Sequence, residues 1–568
     1  MLNIYFKKQF RNLAEVLRSK PEILFLSAIL LFILLAALKI SVFNYVILPR
    51  QSMDIFKDKF IYTLLVILIL SPLLSIFKTS KVLAVFYLLQ TVYILINISY
   101  YMYFHTYFNV MEIPSIAREG LTAVSHFSAP MGPELLIAFI DLPIFIFILL
   151  NYKRCRKLVG KLHLYFILIM MISAGIVTKI EIDRYHHTAS ILQDIQAFYG
   201  ESKIVESYGT VANNISRIYE HQDFTSLVKS FRYGKEQSGK ASGKSKPNFV
   251  IIQVESLDAN AINKTHNGKY IAPFLHALSS RSVFYPYTLS YHMGGGTSDV
   301  EFSILNSIQP LTHYPAIKLP DYTYPNSFIK QLLPAGYRSV AFHGNVGAFF
   351  NRDVAFPKMG FEKFVDIKAM GMTDIGWGAP DYDVFNYESG KLKTLNQPFF
   401  SYTITMTSHI PFTIASRYYD NKSYSDVKDK KTGNYFNSIS YVDQSIKSFV
   451  ENISKNFPNT YILILGDHTP NITTDEYSQA SFTSQDRYFE FVPLFIITPD
   501  HQIRMEKRQV ASFLDIAPTI LNAAGINFTI KSDGVNLLDP NKKSPPIPLG
   551  DKGFDRETLF QKINAAPK

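Results

Sequence analysis

The chain of 568 residues is longer than one ordinary domain, and 48% of its residues are hydrophobic. Its single cysteine, Cys155, excludes an intramolecular disulfide and a cysteine-based zinc site. The net charge of +11 fits basic residues at membrane edges or attraction to anionic lipid and acidic glycan, whereas no recognised nucleic-acid motif accompanies it.

The N-terminal third contains five long apolar runs, each sufficient to cross a hydrocarbon core of roughly 30 Å. We predict membrane-spanning helices over residues 23–40, 60–77, 82–103, 134–151 and 162–180. Lysine and arginine concentrate before the first run and in the loops at 78–81 and 153–161. The positive-inside rule therefore places the N-terminus in the cytoplasm and everything after about residue 181 outside.

The sequence changes character after the last apolar run. Residues 181–231 carry mixed charge and helical spacing, which predicts about two helices. Residues 232–247 are rich in glycine, serine and lysine, which predicts a flexible basic tether. The predicted domains are therefore a transmembrane domain at 1–180, an extracytoplasmic linker at 181–247 and a globular domain at 248–568.

The C-terminal part alternates between apolar β-rich runs and amphipathic helical segments. The predicted strands cover residues 249–254, 339–342, 399–405, 460–465 and 492–497. The predicted helices cover residues 271–280, 327–333, 435–453 and 512–524. This alternation predicts an α/β domain with a mostly parallel central sheet that is covered by helices on both faces.

Polar side chains directly follow four of the predicted strands. They are Glu255, His343, the 407–409 segment and the Asp467-His468 pair. In a parallel sheet ligands bind at the carboxyl ends of the strands, so these side chains should meet in one crevice. Purely structural roles are also open: Glu255 can cap a helix, and Asp467-His468 can form a structural turn.

A glycine-rich turn, residues 294–296, precedes Thr297. Glycine lets a phosphate approach the backbone closely, and a metal ion can activate a threonine hydroxyl as a nucleophile. If a helix begins here, its N-terminal N–H groups favour an anionic phosphate. The turn can also be only a turn, with Ser298 and Asp299 as ordinary helix caps.

Further candidates for substrate contact lie in the middle of the domain. Arg352 can clamp a phosphate bidentately, and Phe349 or Phe350 can pack on a sugar or glycerol or belong to the core. His409 can donate a proton to a leaving alkoxide or bind a phosphate. Trp377, the only tryptophan, can line the pocket or simply pack.

At this point the sequence resembles the lipoteichoic acid synthase family, the phosphoglycerol transferases of the sulfatase/alkaline phosphatase superfamily. The matching motifs are Val-Glu-Ser at 254–256, Gly-Thr-Ser-Asp-Val-Glu-Phe at 296–302, His-Gly-Asn at 343–345, Phe-Phe-Asn-Arg-Asp at 349–353, Gly-Trp-Gly at 376–378, Thr-Ser-His-Ile-Pro-Phe at 407–412 and Gly-Asp-His at 466–468. Gly296 stands where the family usually has lysine. The resemblance implies that residues 248–568 are a sulfatase-like catalytic domain in a bacterial cytoplasmic membrane protein.

The resemblance also implies a role for each matching residue. Thr297 would be the nucleophile. A divalent metal ion, Mn²⁺ with Mg²⁺ or Zn²⁺ as alternatives, would be held by Glu255, Thr297, Asp467 and His468. The phosphoglycerol group would contact His343, Phe349, Phe350, Arg352, Trp377 and His409.

The implied reaction transfers glycerophosphate from phosphatidylglycerol through a threonine-linked intermediate and releases diacylglycerol. The hydroxyl acceptor would be a polyglycerolphosphate, a glycolipid or a periplasmic glucan. Two alternatives stay open: a phosphoethanolamine transferase of the same superfamily, whose outer domain usually carries disulfides, and a catalytically silent envelope scaffold that binds lipid. The arrangement of residues around Thr297 favours the enzyme.

Overall fold

The computed structural model divides the chain into two units, which are considered separately. One unit comprises Met1–Pro114 and Ala129–Gln222, and the other comprises Ser115–Ser128 and Asp223–Lys568. The structure describes residues 21–47, 79–104, 138–158, 165, 172, 224–243, 245–312, 314–319, 321–375, 377–414, 424–484, 487–541 and 544–565.

The apolar runs of the N-terminal unit form helices wherever they are described. These helices are α1 (Pro21–Ile47), α2 (Ser80–Phe104) and α3 (Leu142–Leu150). Within the described ranges, one stretch, Ser80–Ile98, is long and apolar enough to cross a membrane, while the apolar stretch Pro21–Ala36 is shorter. The predicted spans at 60–77 and 162–180 lie outside the described residues except for two single positions. The five-span arrangement therefore stays a prediction.

A buried ion pair joins two helices of this unit. Lys39 Nζ on α1 lies 2.9 Å from Oδ1 of Asp141, which precedes α3, and both side chains are fully buried. Tyr87 on α2 donates its hydroxyl to the same oxygen at 2.8 Å. The Lys39 ammonium also lies 4.8 Å from the centre of the Tyr87 ring. Buried charges persist when they are paired in this way, so the pair fixes how the three helices pack.

The C-terminal unit is built on a mixed β-sheet. Its strands are β1 (Lys235–Gly239), β2 (Asn248–Val254), β3 (Thr265–His266), β4 (Lys269–Tyr270), β5 (Val283–Leu289), β6 (Arg338–His343), β7 (Lys363–Val365), β8 (Phe399–Ile404), β9 (Thr460–Gly466), β10 (Ser481–Ser484), β11 (Arg487–Ile497), β12 (Arg504–Met505), β13 (Ala511–Ser512), β14 (Phe528–Ser532), β15 (Ile547–Leu549) and β16 (Lys552–Phe554). The main sheet has ten strands, with the order β12-β5-β11-β9-β2-β8-β6-β7 and with β10 and β13 attached to β11 and β5.

The direction of one central strand differs from the prediction. Strands β9, β2, β8, β6 and β7 are parallel, as expected. Strand β11, however, runs antiparallel to both of its neighbours, β5 and β9. The apolar run at 492–497 predicted a buried strand correctly, but a run of apolar residues specifies burial and not direction. The sheet is therefore mixed.

Helices cover both faces of the sheet, as predicted. They are α4 (Phe224–Ser230), α5 (Pro273–Leu278), α6 (Thr297–Asn306), α7 (Ile329–Leu332), α8 (Arg352–Met359), α9 (Asp381–Leu392), α10 (Lys430–Asn456), α11 (Ile516–Ala524) and α12 (Arg556–Ala565). Alternate residues of β2 enter opposite cores. Phe249 packs in the core that contains Phe302 of α6. Val250 packs in the core that contains Leu275 of α5 and Ile439 of α10.

The segment predicted to be a flexible tether is partly ordered. Residues Lys235–Gly239 form β1, which pairs antiparallel with β14. Gln237 Nε2 on β1 also donates to the backbone oxygens of Ser532 and Gly534, at 3.0 and 2.8 Å. A high content of glycine, serine and lysine predicts a loop. It cannot reveal that a strand distant in the chain has a free edge with which this segment pairs. Of the predicted linker helices, α4 is described; residues 181–223 lie outside the described part.

Candidate active site

Four neighbouring parallel strands bring polar residues to one edge of the sheet. Glu255 follows β2, Asp467 and His468 follow β9, and His343 is the last residue of β6. The loop that follows β8 contains His409. The sequence predicted this convergence because the carboxyl ends of adjacent parallel strands lie together.

Thr297 faces this edge from the first turn of α6. The preceding Gly296 has φ 55° and ψ −133°, a conformation that strongly favours glycine. The Thr297 hydroxyl oxygen lies 3.3 Å from Glu255 Oε2 and 3.5 Å from His468 Nε2. Thr297 therefore stands at a helix N-terminus with its hydroxyl directed at a carboxylate and an imidazole.

Glu255, Asp467 and His468 form a cluster suited to a metal ion. Each offers one ligand atom, and these atoms lie within 4.8 Å of one another. Asp467 Oδ1 accepts from the backbone N–H groups of Ser256 and His468, both at 2.7 Å. Among the described residues Asp467 Oδ2 has no hydrogen-bond partner although it is buried. An orphaned carboxylate oxygen beside two other ligand atoms fits a divalent cation.

The orientation of His468 also fits this interpretation. Its Nδ1 lies 2.9 Å from the backbone oxygen of Thr469, so the Nδ1–H donates there. Nε2 then points to the cluster, 3.2 Å from Glu255 Oε1. Metal-binding histidines usually have the second ring nitrogen fixed in this way.

The three groups perturb one another because they are buried together. Burial and then the charge of Glu255 raise the pKa of Asp467 to about 8. Burial alone would raise the pKa of Glu255, but the charges of His468 and His409 outweigh it and hold that pKa well below its ordinary value. Burial disfavours charged His468, yet Asp467 and Glu255 raise its pKa well above the ordinary value. The cluster thus attracts positive charge.

Comparison with known proteins identifies the domain that carries this edge. Residues 247–526 match the family model described as Sulfatase. This part of the chain is therefore a sulfatase-family domain. The sulfatase domain contains every part of the edge described above.

The curated relatives of the sulfatase domain include lipoteichoic acid synthases, as the motifs predicted. The lipoteichoic acid synthase-like protein YvgJ of Bacillus subtilis is 25% identical over 372 residues, which are 63% of this chain and 57% of YvgJ. The lipoteichoic acid synthase of Staphylococcus aureus USA300 is 28% identical over 354 residues, 57% of this chain and 53% of that protein. The chain thus spans about half the length of these relatives.

A solved structure resembles the fold beyond the sulfatase domain. It is the integral membrane lipooligosaccharide phosphoethanolamine transferase A, EptA, of Neisseria meningitidis, with a TM-score of 0.54 and 14% identity. The likeness covers 90% of this chain and 96% of EptA. At this identity the likeness concerns the fold alone.

Arg352 of the sulfatase domain is held by a carboxylate. Its Nε lies 3.0 Å from both oxygens of Glu301, and its Nη2 lies 2.5 Å from Oε1. Its Nη1 donates to His343 Nε2 at 3.2 Å. Burial, and next the Arg352 charge, lower the pKa of His343 to about 3, so this imidazole is neutral. The bidentate face that was predicted for a phosphate thus holds Glu301, one turn after Thr297 on α6.

The predicted aromatic residues lie beside Arg352 and His409. Phe349 is buried, and the Arg352 guanidinium lies 5.2 Å from the centre of the Phe350 ring. The rings of Trp377 and His409 lie 5.4 Å apart and both are half-buried. The structure places Phe350 at Arg352 and Trp377 at His409, and their role in substrate contact stays a prediction.

The loop that carries His409 is tied down on two sides. The backbone N–H groups of Met406 and Thr407 donate to Asp381 at 2.7 and 3.1 Å. Ser408 donates its hydroxyl to the backbone oxygen of Glu255 at 2.5 Å. Asp381 was missed in the sequence because it lies at the start of α9, far along the chain from the loop that it holds.

Two further residues at the site were missed. His292 stacks on His468, with ring centres 4.3 Å apart and planes at 15°. Its Nδ1 lies 3.0 Å from Glu490 Oε2, in β11. A signal existed for both: His292 lies five residues before Thr297, and Glu490 is a single carboxylate between Phe489 and Phe491 in an apolar strand.

Proposed function

We propose that this chain is a metal-dependent phosphoglycerol transferase. It moves glycerophosphate from phosphatidylglycerol to a hydroxyl acceptor and releases diacylglycerol. The observation that carries the proposal is the position of the Thr297 hydroxyl, 3.3 Å from Glu255 and 3.5 Å from His468. The lipoteichoic acid synthase relatives support this choice of reaction.

Thr297 is suited to be the nucleophile. It is the first residue of α6, where the helix dipole favours a phosphate and the charge that develops on it. A divalent cation bound by Glu255, Asp467, His468 and Thr297 would lower the pKa of the hydroxyl, and Mn²⁺ is the ion we propose, with Mg²⁺ or Zn²⁺ as alternatives.

The reaction needs two displacements at phosphorus. In the first, the Thr297 hydroxyl loses its proton and its oxygen bonds to phosphorus, while the bond from phosphorus to the diacylglycerol oxygen breaks and diacylglycerol leaves with a proton. In the second, an acceptor hydroxyl loses its proton and its oxygen bonds to phosphorus, while the bond from phosphorus to the Thr297 oxygen breaks and Thr297 regains a proton. If both displacements are in line, the acceptor oxygen enters where the diacylglycerol oxygen left, so one proton-transfer group can serve both.

His409 is our candidate for that group. It is close enough to Glu255 for their charges to interact, and Asp381 and Ser408 anchor its loop. We further propose that His343, Arg352, Phe349, Phe350 and Trp377 surround the phosphoglycerol group. In this arrangement Arg352 exchanges part of its contact with Glu301 for the phosphate, or it supports α6 while His343 contacts the substrate.

The acceptor we propose is a polyglycerolphosphate, a glycolipid or a periplasmic glucan. We place the protein in a bacterial cytoplasmic membrane, with the N-terminus in the cytoplasm and the sulfatase domain outside. The apolar runs of the sequence support this placement, as does the likeness in fold to the integral membrane protein EptA. In this position the site can meet phosphatidylglycerol of the outer leaflet.

The test is mass spectrometry of the full chain after incubation with phosphatidylglycerol and Mn²⁺. We expect glycerophosphate on Thr297 and free diacylglycerol, and neither product with Thr297→Ala. Thr394→Ala is a matched control, because its hydroxyl is exposed and donates to the backbone oxygen of Lys391. Chelation of the metal ion should abolish the adduct in the unchanged protein.

The other results would point elsewhere. A phosphoethanolamine adduct from phosphatidylethanolamine, with none from phosphatidylglycerol, would identify a phosphoethanolamine transferase. An unmodified Thr297 with every donor lipid, together with no metal binding, would favour a lipid-binding scaffold. Diacylglycerol release by Thr297→Ala at the normal rate would contradict the covalent route.

A further inference from the structure

A closed ring of contacts surrounds His468. The His468 Nδ1–H donates to the Thr469 backbone oxygen at 2.9 Å. The Thr469 hydroxyl donates to Glu490 Oε1 at 2.5 Å. Glu490 Oε2 lies 3.0 Å from His292 Nδ1, and the His292 ring stacks on the His468 ring. The imidazole is therefore held both at its edge and on its face.

The mixed sheet explains how these residues meet. His292 follows β5, His468 and Thr469 follow β9, and Glu490 lies near the start of β11. Strand β11 stands between β5 and β9 and is antiparallel to both. Its N-terminal part therefore reaches the edge where β5 and β9 end, so three adjacent strands each place a side chain around one imidazole.

The hydrogen-bond directions within the ring follow from the charge of Glu490. Burial would raise the pKa of Glu490, but His292, His468 and the Thr469 hydroxyl outweigh it and lower that pKa below its ordinary value. The ionised carboxylate can only accept, so Thr469 and the His292 Nδ1–H are the donors. Glu490 is buried while His292 is about one-third exposed.

We propose that His292 and Glu490 are positioning residues that fix His468 as a metal ligand and join it to the loop of the nucleophile. The inference rests on the metal site of the proposed function. His292 lies in the short segment that leads to Thr297, so its stacking on His468 ties the nucleophile loop to the cluster. Removal of such outer partners typically weakens metal binding about 10- to 100-fold.

The test measures the affinity of the full chain in detergent for Mn²⁺, from the loss of the free-ion EPR signal. His292→Ala should raise the Kd roughly tenfold or more. His292→Phe keeps a ring to stack on His468 but loses the bond to Glu490, and its Kd should lie between those of the alanine variant and the unchanged protein. Glu490→Gln keeps the shape but loses one acceptor, and it should raise the Kd severalfold.

A matched control is available in the same domain. His276 also stacks on an aromatic ring, that of Tyr270, with centres 3.6 Å apart, but it takes no part in the ring around His468. His276→Ala should bind Mn²⁺ as tightly as the unchanged protein. Circular dichroism and the unfolding midpoint in chelator check that each variant is folded before its affinity is compared.

Three results separate the possible failures. A Kd for folded His292→Ala within twofold of the unchanged protein would overturn the positioning role. If electron spin-echo spectroscopy detects two imidazoles on the bound Mn²⁺, and the alanine and phenylalanine variants lose equal affinity, His292 is a metal ligand instead. No Mn²⁺ binding by the unchanged protein would reject the metal site of the proposed function itself.

Discussion

At the scale of single residues, Gly295 and Asp299 hold the turn that presents Thr297. Asp299 Oδ2 accepts from the backbone N–H groups of Met293 and Gly295, at 3.1 and 2.7 Å. A Cβ atom at Gly295 would lie 2.3 Å from Asp299 Oδ1, which is far closer than atoms can approach. The sequence allowed Asp299 to be an ordinary helix cap, but its carboxylate accepts hydrogen bonds from the loop that precedes the helix.

We therefore predict that Gly295→Ala disrupts the position of Thr297. The new methyl group must displace the Asp299 carboxylate, which costs about 1–3 kcal/mol of stability and frees the turn. Both the yield of the Thr297 adduct and the urea concentration at the unfolding midpoint should fall. Unfolding can be followed by the fluorescence of Trp377, the only tryptophan.

Gly390→Ala is the control for that substitution. Among the described residues, nothing outside the backbone of its own helix lies within 4 Å of a Cβ at Gly390. Alanine there should leave the adduct unchanged and raise stability by up to ~1 kcal/mol. Equal adduct yields for the two alanine variants would show that the turn tolerates the displacement of Asp299.

Glu388 gives a pH-dependent prediction that is independent of the site. Its buried carboxylate on α9 accepts from the hydroxyls of Ser401 and Thr403, both at 2.6 Å. Burial raises its pKa from 4.5 to about 7. Between these pH values the folded state binds more protons than the unfolded state, so Glu388 makes stability fall as the pH rises from about 4.5 to 7.

The neutral variant Glu388→Gln should lose this pH dependence. Relative to the unchanged protein, its free energy of unfolding should increase by on the order of 2–3 kcal/mol between pH 5 and pH 8. Urea unfolding at both pH values, followed by Trp377 fluorescence, measures the difference. Glu451→Gln, at an exposed position on α10, is the control for the same substitution on the surface. A flat difference for Glu388→Gln would mean that the buried carboxyl stays charged.

At the scale of elements, local sequence revealed four of the parallel strands and the position of β11, but not the direction of β11. An apolar run followed by a polar residue predicted that Glu255, His343 and Asp467 meet at one edge, and they do so because their strands point the same way. Glu490 escaped because it lies near the beginning of β11, and only the direction of that strand brings it to the site. The partner of Arg352 escaped as well, since Glu301 lies on a different element.

The three helices described in the N-terminal unit meet at the buried Lys39–Asp141 pair. Lys39→Met or Asp141→Asn leaves the other group buried without its partner, which typically costs about 3–5 kcal/mol. Replacing both, with methionine and leucine, removes the unpaired charge and should recover most of this loss. The reporter is Cys155, the sole cysteine, which is 2% exposed and packs in the same cluster as Phe145 and Tyr87.

The measurement is the temperature at which Cys155 reacts with a thiol dye in detergent. Each single variant should react at a clearly lower temperature than the unchanged protein, and the double variant should approach it. Lys153→Met, at an exposed position of the same unit, should change nothing. Single variants that react like the unchanged protein would indicate that the pair does not hold these helices together.

At the scale of the whole molecule, the domain boundaries at residues 180 and 247 stay a prediction. Asp223–Lys568 lie in one unit, so residues just before the predicted catalytic domain belong to the same unit as the sheet. Phe231 packs in the same core as Phe302 of α6. Both the core contact and the pairing of β1 with β14 join positions that are far apart along the chain, so no local pattern at 232–247 could reveal them.

The order of that segment can be tested directly by hydrogen exchange. Because β1 pairs with β14, we expect the amides of Lys235–Gly239 that bond to β14 to exchange far more slowly than amides in a free peptide. A Cβ atom at Gly239 would lie 2.2 Å from the Phe528 ring, so Gly239→Val should force the strands apart and speed exchange across all five residues of β1. Lys240→Ala, just after the strand and exposed, should leave exchange unchanged. Exchange as fast as in a free peptide would support the flexible tether that composition predicted. Slow exchange that Gly239→Val abolishes would establish that the chain is fixed to β14 before it enters the central strand β2, which leads to Glu255 at the site.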